Sequence, residues 1–119
     1  MCREKGLSVE KLDLEAVPVT KDFADVAIST EVAEHIPEEF ADAYVLLLSR
    51  SAPVVYMTAA TPGQGGTDHV NEQLNEYWIS KFANRGMTCD IEAVHRIRKI
   101  WVANGVDGYR TKNLLIFRS

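Results

Sequence analysis

The chain has 119 residues, 46% of them apolar and 25% charged; this is the make-up of one globular domain and excludes disorder, a fibrous repeat and a second complete domain. A net charge of −4 leaves no basic excess to neutralise a phosphate backbone, so no nucleic-acid partner is expected. No apolar run approaches the roughly 20 residues of a membrane span, and the opening MCREKGLSVE lacks the apolar stretch of a secretory signal, so a cytoplasmic location without membrane contact is expected. Cys2 and Cys89 are too few and too far apart in sequence for a disulfide framework or a thiolate zinc site, and both are read as free thiols.

In chain order, Ser8 to Leu12 alternates polar with apolar residues and is the weakest strand candidate. Ala24 to Ser29, Val54 to Thr58 and Leu114 to Phe117 are short, nearly continuous apolar runs, the pattern of strands covered on both faces, which implies a parallel or mixed sheet. Between the second and third strands, Ile36-Pro37-Glu38-Glu39 reads as a helix start, with proline in the first turn and carboxylates at the positive end of the macrodipole. That helix is expected to run to about Arg50 and to bury Phe40, Tyr44, Leu47 and Leu48. A second helix is expected from about Glu72 to Asn84, with Leu74, Tyr77, Trp78 and Phe82 on one side and Arg85-Gly86 closing it. A short strand is possible around Met87 to Asp90. A third helix follows Asp90 as a possible N-cap, carries Ile91, Val94 and Trp101, and ends at Gly105. Strands alternating with helices predict an α/β layer architecture.

Open parallel sheets bind ligands at the carboxyl ends of their strands, so the loops immediately after them are the places to look for chemistry. They are Asp13-Leu14-Glu15, then Thr30-Glu31-Val32-Ala33-Glu34-His35, then the stretch from Thr61 to Gln73 with glycines 63, 65 and 66.

Read in order, these segments carry a resemblance. The run DVAISTEVAEHIPEEFADAYV resembles the strand, acidic loop and helix of class I S-adenosylmethionine-dependent methyltransferases of the type 11/12 group, and PGQGGTDHVNEQLNEYWISKF resembles the downstream loop and helix of the same families. The opening MCREKGLSVEKLDLEAVP is similar to the end of their second helix and their third strand, with Asp13 at its end. The resemblance extends from about Cys2 to Ser119. It implies a partial Rossmann-like fold, a mostly parallel sheet with covering helices, in which the family's first strands are missing. Nothing matches the family's glycine-rich cofactor loop or the acidic end of its second strand, so the sequence reads as the C-terminal two-thirds of such a domain. In the family's strand order, 3-2-1-4-5-7-6, the strand at Ala24 to Ser29 would then lack its neighbour. A bare edge of this kind recruits another strand, either Ser8 to Leu12 or the same edge of a second copy in a homodimer.

The resemblance implies S-adenosylmethionine as cofactor, bound very weakly by this chain alone. It places Asp13 against the adenine amino group and Leu14 against the ring, where the residues alone would equally suit a solvated turn. Thr30, Glu31 and His35 would line the cofactor side, although Glu34 and His35 equally suit the exposed start of a helix. His69 and Glu72, with Asn71, fall on the acceptor side. Methyl transfer is an in-line displacement, so the protein positions the nucleophile and, for a hydroxyl acceptor, supplies a base, a task that suits a histidine. The alternative is that Asp68 or Asn71 caps the helix with His69 solvated beside it. With no compact spacing of ligands on one element, His35, His69 and Glu72 are not expected to hold a metal. His95, among Arg96, Arg98 and Lys99, reads as a surface residue. Two functions are carried forward: a methyltransferase acting on a small molecule or glycan precursor, inactive as this isolated chain, and a non-catalytic remnant that associates with itself or a partner.

Overall fold

A computed structural model describes residues 24–119. The expected strand at Ser8 to Leu12 and the positions of Asp13 and Leu14 lie outside the described residues. The first described strand, β1, spans Ala27–Thr30 and is followed by single 3₁₀ turns at Ala33–His35 and Glu38–Phe40. Pro37 directly precedes the second turn with φ −54°, a value the pyrrolidine ring dictates and a helix start accepts. Helix α1 then runs over Ala41–Ser51 and delivers the chain to strand β2, Val54–Thr58. After the glycine-containing loop come helix α2 (Asn75–Ala83), the two-residue strand β3 (Thr88–Cys89), helix α3 (Ile91–Ala103), helix α4 (Gly108–Asn113) and strand β4 (Leu114–Arg118).

The strands form one four-stranded mixed sheet in the order β1-β2-β4-β3. Only β1 and β2 pair in parallel; β4 is antiparallel to both of its neighbours. This corrects the expectation of a mostly parallel sheet. The reason lies in how the chain arrives: α4 ends at Asn113 and β4 begins at Leu114 with no intervening turn. Leu114 stands opposite Thr58, the last residue of β2, so a strand entering where β2 leaves must run against it.

The pleat sorts side chains onto two faces. Val55 and Met57 of β2 and Leu115 and Phe117 of β4 join Tyr44, Val45 and Leu48 of α1 and Trp78 and Phe82 of α2 in the larger core. Val54, Tyr56, Leu114 and Ile116 face the other way, against Ala93, Val94, Ile97 and Trp101 of α3. The α1 stripe is shifted from the expected one: Ala41, Tyr44, Val45 and Leu48 are buried, while Phe40 and Leu47 are only half-buried. In α2 the expected face holds for Trp78 and Phe82, but Leu74 precedes the helix and is 62% exposed. Asp90 does cap α3, its carboxylate accepting from the Ala93 amide at 3.0 Å. Helix α4 has no counterpart in the sequence reading, because GYRTKN contains no apolar repeat; its one local signal is Asp107, which accepts from the Arg110 amide. Among the described residues, no helix is long and apolar enough to cross a membrane.

Candidate functional site

At the carboxyl end of β1 the chain turns sharply. Glu31 takes a left-handed φ of 52°, uncommon outside glycine and affordable only where the surroundings hold it. Thr58 does so: its carbonyl and its hydroxyl oxygen both accept from the Glu31 amide at 3.0 Å, which extends the β1–β2 ladder one residue beyond the strand. The Thr58 hydroxyl donates in turn to Glu31 Oε2 at 3.1 Å, and the other carboxylate oxygen accepts from Gln64 Nε2 at 3.3 Å. Asn113, fully buried at the end of α4 immediately before β4, donates to Gln64 Oε1 at 2.8 Å. The strand ends and the glycine loop are thereby tied by one polar chain. Sequence reasoning missed Gln64 and Asn113; the only signal for Asn113 is its place immediately before an apolar strand.

The turn at Glu31 sends the next residues inward. Glu34, expected as an equally good exposed helix start, is instead fully buried. Its carbonyl accepts from the amides of Val70 and Asn71 at 2.9 and 3.0 Å, and its Oε1 accepts from the Ala60 amide at 3.2 Å. Its other carboxylate oxygen, Oε2, is buried without a hydrogen-bond partner among the described residues. Burial pushes the Glu34 carboxyl above the usual carboxylate range, and the nearby charge of Glu31 pushes the same way. The contact between Glu34 and residues 70 and 71 draws the glycine-containing loop over the end of β1.

That loop brings His69 onto His35. The two imidazoles meet edge to face, with centroids 4.8 Å apart and planes at 78°. His35 Nδ1 lies 3.0 Å from the Asp68 carbonyl, which can only accept, so this nitrogen donates. His69 Nδ1 lies 2.9 Å from Glu72 Oε2 and donates to the carboxylate. Glu72 also accepts from the amides of Gly65 at 2.8 Å and Gly63 at 3.3 Å. The His69 hydrogen bond, followed by those two amides, holds the Glu72 carboxyl below the usual range. Gly66, at φ +148°, leaves room for the ring: a Cβ there would stand 2.7 Å from His69 Cε1 and Nε2.

The helix-capping alternative is not realised. Glu72 sits ahead of α2, whose N-cap position is Leu74 with no side-chain cap, and the His69 side chain is only 12% exposed. Of the expected site residues, Glu31, His35, His69 and Glu72 come together at the carboxyl ends of β1 and β2, with Thr30 exposed at the rim. No protein-family model, curated protein or solved structure matches this chain.

Proposed function

We propose that this chain derives from an S-adenosylmethionine-dependent methyltransferase domain acting on a small molecule or glycan precursor and is inactive in isolation. The observation that carries this reading is the strand order. If β1 corresponds to the family's fourth strand, β1-β2-β4-β3 reads as 4-5-7-6, the second half of a Rossmann-like sheet. The loops after its first two strands then lie where such sheets bind ligands. Within them, His69 has the arrangement of a general base: a carboxylate orients its Nδ1, which leaves Nε2 to take a proton from an acceptor hydroxyl.

Gly6 is the only glycine ahead of Gly63 in this sequence, so no glycine-rich loop ahead of β1 is available to the cofactor. Hydrogen bonds to charged groups contribute about 1.5 to 3 kcal/mol each, so lacking two or three of them weakens binding by roughly 3 to 8 kcal/mol. At about 1.4 kcal/mol per tenfold, a micromolar site becomes millimolar or weaker. Isothermal titration of the full chain with S-adenosylmethionine and S-adenosylhomocysteine is the test. A millimolar constant shared by the two ligands is expected. A low micromolar constant would show the cofactor loop to be dispensable, and binding of adenosine triphosphate as tight as that of both ligands would reject the cofactor assignment. A second reading, a non-catalytic domain that associates with a second copy, draws on β1, which has a strand neighbour on one side only among the described residues.

A further inference from the structure

We propose that Glu34, His35 and His69 form a binding site for a single divalent transition-metal ion of the zinc class. One donor atom from each of the three residues lies within 4.8 Å of the others. Donor atoms around a tetrahedral ion with bonds of about 2.1 Å stand about 3.4 Å apart, so small rotations of the two imidazoles close the set. Two histidines and one glutamate are a donor set suited to zinc that leaves a fourth position open to water or substrate.

Two independent features of the residues favour an ion here. First, both rings have their Nδ1–H committed, His35 to the Asp68 carbonyl and His69 to the Glu72 carboxylate. Metal-binding histidines are held in this way, and the tautomer leaves each Nε2 with its lone pair free. Second, Glu34 Oε2 is fully buried with no hydrogen-bond partner among the described residues. A buried carboxylate oxygen without a partner is costly, and a cation beside it removes that cost. Glu31 and Glu72 add negative charge around the cluster without being needed as ligands.

The ion claims His69 Nε2, the same nitrogen that would act as a base in the metal-free protein. With an ion bound, Glu34, His35 and His69 would hold it, and it would lower the pKa of a water or hydroxyl in the open position. Metal binding needs neither S-adenosylmethionine nor the cofactor loop, so titration with metal in the absence of cofactor tests it separately from the methyltransferase reading.

The experiment is calorimetric titration of the full chain with Zn²⁺ after chelator treatment, repeated with Co²⁺ to read the intense visible bands of a four-coordinate site. One ion per chain is expected. His35→Ala and His69→Ala should each weaken binding by about 100-fold or more, and Glu72→Gln by about 10-fold or more through the orientation of His69. His95→Ala and the double variant Cys2→Ser/Cys89→Ser should bind as the unaltered chain does. Absence of binding, binding indifferent to either His35→Ala or His69→Ala, or binding lost in the cysteine variant would each overturn the assignment. Glu34→Gln is read only if its far-ultraviolet circular dichroism matches that of the unaltered chain; the two histidine variants carry the test if it does not.

Discussion

Asp90 shows how much one side chain can organise. Its carboxylate accepts from the Ala93 amide at the start of α3 and from Arg118 Nε at 2.6 Å, so it joins a helix to the far end of β4. The amide hydrogen bond and then the Arg118 contact hold its carboxyl below the usual aspartate range. A carboxyl group whose pKa is lower in the folded chain than in the unfolded one stabilises above the unfolded value of about 4. That contribution is lost as pH falls through the folded value. Asp90→Asn should therefore lower the thermal midpoint at neutral pH and flatten its fall between about pH 5 and pH 2; parallel acid-side slopes for variant and unaltered chain would count against this account. This residue was legible from sequence because a cap is a local device: an aspartate just ahead of a helical pattern satisfies amides within its own first turn. Glu34 was not legible. Its burial follows from the turn at Glu31 and from residues 70 and 71 folding over it, neither of which a local pattern encodes.

The helices carry most of the packing. Phe82 of α2 stacks on Phe117 of β4, with centroids 4.0 Å apart and planes at 14°, and both rings are fully buried. Phe82→Ala should cost about 3 to 5 kcal/mol in urea unfolding, from lost transfer energy and the cavity left behind. Leu74→Ala, on the same expected stripe but 62% exposed, should change stability by no more than about 0.5 kcal/mol. Comparable losses in the two variants would place Leu74 inside the core after all. Apolar spacing revealed that α1 and α2 exist and which side of each turns inward. It misjudged the starts by up to about five residues, because Glu38 to Phe40 form a 3₁₀ turn ahead of α1 and Glu72 is drawn off into hydrogen bonds with the glycine loop. The same spacing was silent on α4, whose six residues are held by a cap and by buried Thr111 and Asn113 rather than by an apolar face.

At the level of the whole molecule, the two faces of the sheet are covered unequally. Helices α1 and α2 back the larger core, while α3 covers β2 and β4 on the opposite face and stops short of β1. Ile28, which points to that second face, is 71% exposed, and neighbouring Val26 is 45% exposed. An apolar strand with a free edge is a template for pairing. We expect β1 to be paired in solution, either by Ser8 to Leu12 of the same chain or by a second copy. Light scattering distinguishes the two, and amide exchange at β1 reports whether the edge is protected. A strict monomer with rapidly exchanging β1 amides would refute the expectation.

The amino-acid sequence by itself determined the α/β class, three of the four described strands to within three residues at either end, and the capped start of α3. These are consequences of composition, of hydrophobic period and of contacts between residues close in the chain. The tertiary structure alone decided the direction of β4, because a strand's side-chain pattern is the same whichever way it runs and only the path through α4 sets its sense. It also decided that Glu34 is buried and that His35 meets His69, since residues 34 positions apart in sequence are joined by no local repeat, only by a loop folding over the end of a strand.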